Sequence, residues 1–194
     1  MSTDKSNAKL NRFAQIAQLN EIIFHAKDLA NLWQIKSQNT LHTTLSRYVK
    51  KGLLFRIYRG FYAIKPIENI DPYVLGIKSL HVYTYISTET ILAKAGIISQ
   101  VIDKITFVSS KSTKFKIGNN WYVSRKLVDK FLFNPAGISE KNGIMFACDE
   151  RAVADMLYFN PRFHFDGNKL INWKKVKKIQ KQIGYLISKH LERK

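Results

Sequence analysis

The side chains between Ser37 and Lys50 combine types that do chemistry on nucleic acid. At roughly 100° per residue, Asn39, Thr43, Ser46 and Lys50 point to one side of a helix, flanked by His42 and Arg47, while Leu41, Leu45, Tyr48 and Val49 share the other side. The polar side holds no acid. Short hydrogen-bonding side chains mixed with cations read base edges and grip phosphates in a major groove. Ser37, Gln38 and Thr40 extend this candidate surface at its N-terminal end. Taken singly, exposed Ser, Thr, Lys or Arg residues are ordinary on any soluble helix. The combination is what points to DNA.

Two further groups are cationic. Arg56, Tyr58 and Arg59 lie in the run Leu53–Ile64, which reads as a tight hairpin turning at Arg59-Gly60, with β-branched and aromatic residues on both arms. Lys111, Lys114 and Lys116 sit in a polar stretch from Ser109 to Lys116, without a glycine to let backbone approach a phosphate. Near the C-terminus, Lys174, Lys175, Lys177, Lys178 and Lys181 line one side of an amphipathic pattern. Such a face supplies phosphate contacts and salt-dependent affinity without base specificity. A solvated surface explains it equally well.

Catalytic patterns are missing. The chain has no Gly-x-Ser-x-Gly elbow, no Gly-x-x-x-x-Gly-Lys phosphate loop and no His-Glu-x-x-His. Cys148 is the single cysteine, so no internal disulfide and no multi-cysteine metal site exists. It reads as a buried small side chain, because its neighbours Asp149 and Glu150 work against a thiolate. His25, His81, His164 and His190 have no partners at metal-ligand spacing. Asp149 and Glu150 read as a helix start, and Asp155 further along that helix completes no metal constellation. The expectation is a protein that is not an enzyme and uses no cofactor or metal.

The candidate residues need elements to hold them. Leu10, Phe13, Ile16 and Ala17 fall at helical spacing, Glu21 to Phe24 is a short strand-like run, and Ala26 to Trp33 places Leu29, Leu32 and Trp33 on one helix face. Ser37 stands as the N-cap of the next helix and Gly52 as its stop. Helix, turn, second helix and basic hairpin in this order predict a winged helix-turn-helix. Beyond it, Tyr73 to Leu80 reads as a helix and Ser87 as the cap of a helix through Ala95. Ile105 to Val108 and Trp121 to Ser124 read as strands. Asn172 reads as the cap of a long helix from Trp173 to Glu192, with Trp173, Val176, Ile179, Ile183, Leu186, Ile187 and Leu191 as its apolar stripe.

The 194 residues carry 32 Lys plus Arg against 14 Asp plus Glu, a net charge of +18, with 45% apolar residues. That is enough apolar material for a packed core and excludes a disordered polyelectrolyte. The excess is uneven: +8 over residues 1–65, +3 over 66–165 and +7 over 166–194. Pro66 and Pro72 bracket a break. The expected organisation is a winged helix-turn-helix domain over residues 1–65 and a mixed α/β domain over 73–194 ending in a long basic helix, of the α+β class. No run approaches the 18 apolar residues of a membrane span, and the polar N-terminus shows no signal peptide, so a cytoplasmic protein with no membrane partner is expected.

Three segments resemble a known family. Arg56-Ile-Tyr-Arg-Gly-Phe-Tyr-Ala-Ile64, Tyr85-Ile-Ser-Thr-Glu-Thr-Ile-Leu-Ala-Lys-Ala-Gly-Ile-Ile98 and Ile105-Thr-Phe-Val-Ser-Ser-Lys111 are similar to the AbiEi antitoxins of abortive-infection, type IV toxin–antitoxin systems. The resemblance runs over roughly residues 10 to 135 and rests on order and pattern rather than on one chemical motif. It implies a winged helix that binds inverted repeats in the protein's own promoter and represses its operon. It also implies a C-terminal antitoxin domain that counteracts a nucleotidyltransferase-like toxin encoded alongside, functionally, with direct contact left open. By position, Ser37 to Lys51 would be the recognition helix and Tyr58 to Gly60 the wing tip. Lys111, Lys114, Lys116, Arg125 and Lys126 would fall on the antitoxin domain. The alternative is a general nucleic-acid-binding or interaction module with a winged helix and no antitoxin role.

Overall fold

The computed structural model describes residues 12–187. Leu10, His190 and the end of the expected C-terminal helix, with Leu191 and Glu192, lie outside the described residues. The chain is mixed α+β and divides into two compact units between Asp71 and Pro72.

In the first unit, residues 12–18 form a helix (α1). They are followed by strand β1 (Ile23–His25), helices α2 (Ala26–Leu32) and α3 (Gln38–Lys50), and the hairpin β2 (Phe55–Tyr58) and β3 (Phe61–Ala63). β3 is the central strand of an antiparallel sheet of order β1-β3-β2. Alternation along so short a sheet cannot make a core alone. Ile16, Phe24, Leu29, Trp33, Leu41, Leu45, Tyr48, Leu54 and Tyr62 therefore bury together between the helices and the sheet. Fully burying each large apolar side chain contributes about 1.5–3 kcal/mol. α2 and α3 are joined through Gln34, whose positive φ of 53° lets the Ile35 amide donate back to the Ala30 carbonyl at 2.9 Å.

The second unit is built on a six-stranded mixed sheet of order β6-β7-β5-β4-β9-β8. Its strands are β4 (Thr84–Ile86), β5 (Lys104–Ser109), β6 (Thr113–Ile117), β7 (Asn120–Lys126), β8 (Ile138–Lys141) and β9 (Ile144–Ala147). Its helices are α4 (Pro72–Leu80), α5 (Glu89–Lys94), α6 (Asp129–Leu132), α7 (Asp149–Phe159) and α8 (Trp173–Ile183). Side chains of successive strand residues point to opposite faces. Phe107 and Tyr122 point to the face where α4 lies, close under Gly76. Tyr85 and Thr106 point to the other face, where they bond Asp155 of α7 and Thr90 of α5.

Two expectations are corrected here. Ser87 does not cap α5; it is fully buried and donates to Asp155 Oδ2 at 2.8 Å, and the cap position falls to Thr88 at φ 53°. The carboxylate of Asp155 takes the hydroxyl that the sequence pattern assigns to the helix. The long basic helix is also shorter than expected. α8 has 11 residues, about 16 Å at 1.5 Å per residue, and ends at Gly184 in the left-handed region with φ 91°. Beyond it Tyr185 turns into the core to donate to Asp155 Oδ1 at 2.8 Å, while Leu186 is 94% exposed. The apolar stripe therefore stops at Ile183. Asn172 does cap α8, accepting from the Lys175 amide at 3.1 Å.

Candidate nucleic-acid interface

α3 is set by its ends and by one face. Ser37 Oγ accepts from the Thr40 amide at 3.4 Å, satisfying one of the first-turn donors, and Lys51 and Gly52 close the C-terminal end, where Arg47 and Lys50 suit the negative pole of the helix dipole. Leu41, Leu45 and Tyr48 are buried, with Tyr48 5.6 Å from Trp33 between ring centroids. That anchoring fixes the rotation of the helix. Ser37, Gln38, Asn39, Thr40, His42, Thr43, Ser46, Arg47 and Lys50 are consequently all exposed, as are Arg56, Tyr58 and Arg59 on the hairpin.

The hairpin turn brings the two sets together. Gly60 sits at φ 87° at the tip, and its carbonyl accepts from the Ala26 amide at 2.7 Å, tying the turn to the start of α2. His42 and Ser46 of α3 line one hollow with Arg56, Arg59 and Tyr62. Tyr58 packs on Phe61 at 4.7 Å between centroids. Arg47 is not part of this hollow; it lines a separate one with Arg12, Thr44, Tyr48 and Lys51. A larger open cleft on the N-terminal side of α3 joins Gln38, His42 and Arg59 to His25, Lys27 and Lys36. Sequence reasoning missed Arg12, Lys27 and Lys36. Only their position on neighbouring elements relates them to α3, although Lys36 lies next to the cap. His25 Nδ1 accepts from the Lys27 amide at 3.2 Å, which places the ring as a structural support beneath the turn.

The second set of candidate cations is dispersed over the other unit. Lys114 and Lys116, in the polar, basic stretch of the sequence, lie on β6, whose residues from Thr113 pair with β7 in an antiparallel hairpin. Lys111 is in the preceding turn, where its amide donates to Ser109 Oγ. Arg125 and Lys126 are consecutive on β7 and so point to opposite faces. Arg125 pairs with Glu89 at the start of α5. Burial pushes the Glu89 carboxyl up, but its backbone hydrogen bond, Arg125 and Thr88 together hold it below its ordinary value. On α8, Lys174 and Lys178 are exposed, while Lys175 lies 3.4 Å from Glu150 of α7. That contact gives a local reason for one lysine in a first turn that otherwise opposes the helix dipole.

Cys148 is half-buried rather than buried as its sequence context suggests; this partial burial raises its thiol above its ordinary range, with Glu150 adding to the effect, so it is no ready nucleophile. Among the described residues no three His, Cys, Asp or Glu side chains gather where they could hold a metal ion. No helix among them is long and apolar enough to cross a membrane.

No protein-family model matches the chain. No curated protein matches it. Among solved structures, the chain is similar to the crystal structure of the RV2827C protein from Mycobacterium tuberculosis, with a TM-score of 0.53 and 10% sequence identity, over 87% of this chain and 69% of that one. At that identity the likeness concerns the fold alone.

Proposed function

We propose that this chain is a DNA-binding antitoxin of the AbiEi kind, which represses its own operon through a winged helix-turn-helix and counteracts a nucleotidyltransferase-like toxin. In this reading α2 and α3 are the helix-turn-helix pair, α3 enters the major groove, and the β2–β3 hairpin is the wing. The observation that carries it is the outward side of α3. Its exposed groups are acid-free, and His42 and Ser46 share a hollow with Arg56 and Arg59 of the hairpin.

Roles follow from reach and chemistry. Asn39, Thr43 and Ser46 read base edges, Asn being able to engage adenine in two hydrogen bonds. Arg47, Lys50, Arg56 and Arg59 meet phosphates and set register. The protein acts by binding rather than by catalysis. Its second unit carries the antitoxin role, which rests on the resemblance of Tyr85–Ile98 and Ile105–Lys111.

Two experiments test the halves separately. A mobility-shift assay on the protein's own upstream DNA is expected to show a specific complex that is lost when Asn39, Thr43 and Arg59 are changed together to Ala; retained specific binding overturns the α3 assignment. Co-expression with a neighbouring nucleotidyltransferase is expected to restore growth, and continued arrest removes the antitoxin role. The net charge of +18 favours a second reading, a general nucleic-acid binder. Rising salt separates them, because a specific site outlasts nonspecific binding whereas a purely electrostatic binder loses all targets together.

A further inference from the structure

Among the described residues β6 is an edge strand, paired only with β7. Lys114 stands opposite Val123 and Lys116 opposite Trp121, while across the parallel β5–β7 pair Lys104 stands beside Trp121 and Thr106 beside Val123. Partners across strands point to the same side of a sheet. Lys104, Lys114, Lys116, Trp121 and Arg125 therefore share one face. Further along, α5 covers that face, with Thr90 on Thr106 and Glu89 on Arg125. The cover ends before Trp121, which is 38% exposed, whereas its neighbour Tyr122 is fully buried on the opposite side.

The ammonium groups of Lys114 and Lys116 lie 4.7 and 5.6 Å from the centroid of the Trp121 ring. Neither these two nor Lys104 forms an ion pair with any described residue. Lysines on an edge strand ordinarily block edge-to-edge association. That role has no need of an exposed indole, nor of cations gathered over it. An exposed aromatic ring among unpaired cations is how single-strand binders hold a polynucleotide: a base stacks on the ring and the neighbouring phosphates meet the cations. An acidic peptide would answer the lysines and leave the ring unused. A duplex keeps its base faces inside the stack and has none to offer Trp121.

We propose that this face binds single-stranded nucleic acid, with an unpaired base stacked on Trp121 and the adjacent phosphates on Lys104, Lys114 and Lys116. It is a second nucleic-acid site, in the other unit from α3 and for a different form of the polymer. The probes are fluorescein-labelled 12-nucleotide oligouridylate and oligothymidylate, with an unrelated 12-base-pair duplex as control, titrated against the full chain by anisotropy. Both single strands are expected to bind more tightly than the duplex, the two arms separating RNA from DNA. Trp121→Leu is expected to weaken single-strand binding by about tenfold, the share of one stacked base. Trp121→Tyr, which keeps an aromatic face, is expected to retain it. Lys114→Ala and Lys116→Ala are each expected to lower the salt dependence, and the triple α3 variant to leave single-strand binding in place. Undiminished binding by Trp121→Leu overturns the proposal, as does equal loss in Trp121→Tyr. So does a triple α3 variant that holds the single strands no better than the duplex.

Discussion

Arg151 Nε donates to Asp155 Oδ1 at 2.9 Å, one helical turn apart on α7, with both side chains completely buried. Neither charge is left with a single partner. Asp155 also accepts from Tyr85, Ser87 and Tyr185, and Arg151 also donates to the Tyr85 hydroxyl and to the carbonyls of Asn134 and Ala136. Burial pushes both tyrosine hydroxyls far above their ordinary range, so they remain donors. The network fastens β4, α7 and the chain after α8 to one point.

Breaking such a pair leaves an uncompensated buried charge, which costs about 3–5 kcal/mol. Asp155→Ala is expected to lower stability by that amount. Tyr185→Phe, which removes one hydrogen bond to a charged group, is expected to cost about 1.5–3 kcal/mol. Urea midpoints at neutral pH measure both. A Tyr185→Phe midpoint equal to wild type would show that the C-terminal segment is not held by this bond.

Gly76 marks where α4 meets the sheet. A Cβ there would lie 2.4 Å from Tyr122 Cε1 and 2.5 Å from Phe107 Cζ, and both rings are fully buried. Alanine in a helix ordinarily gains up to about 1 kcal/mol over glycine. Here the overlap must be relieved by moving packed rings, at a cost of about 1–3 kcal/mol. Gly76→Ala is expected to be net destabilising in the same urea assay, and a neutral result would mean that α4 can lift without loss.

These two sites also show what the sequence conveyed. α3 was legible because everything that defines it is local: a Ser37 cap, an apolar row at helical spacing and Gly52 as a stop. The β2–β3 hairpin was legible for the same reason. The Arg151–Asp155 network was not, because Tyr85 and Ser87 are 70 and 68 residues from Asp155 and no periodicity encodes such a meeting. Ser87 looked like a cap because the same Ser hydroxyl that can accept from a first-turn amide can also donate to a buried carboxylate. The apolar stripe beyond Gly184 misled in the other direction, since spacing continues through a glycine that the backbone does not follow. Strands β8 and β9 are four residues each and were too short for alternation to reveal.

Under the proposed DNA-binding role of α3, base-reading and phosphate-gripping residues are expected to separate by their salt behaviour. Asn39→Ala is expected to cost about 1–3 kcal/mol on the operator and to relax preference at one base position. Lys50→Ala is expected to weaken operator and unrelated duplexes alike and to reduce the salt slope by about one. Mobility shifts over a salt series on the operator and its single-position variants test both. Equal effects of Asn39→Ala on all duplexes would reassign Asn39 to the backbone.

The Glu89–Arg125 pair predicts a pH dependence of stability. Burial acts against the ionised Glu89 carboxyl, yet the opposing backbone bond, Arg125 and Thr88 leave its folded value below the ordinary 4.5. The folded state then binds fewer protons here than the unfolded chain does. The stabilisation is complete above about 4.5, the unfolded value, and disappears as pH falls through the lower folded value. Arg125 is about one-third exposed, so solvent screens the pair and the contribution is about 1 kcal/mol or less. Glu89→Gln is therefore expected to be less stable than wild type at neutral pH, and the gap is expected to close as the pH is lowered through the acid range. Urea midpoints of both proteins at several pH values measure the difference, in which the other carboxyls cancel. A gap that stays constant down to the most acidic point would show that Glu89 stabilises the fold by packing alone.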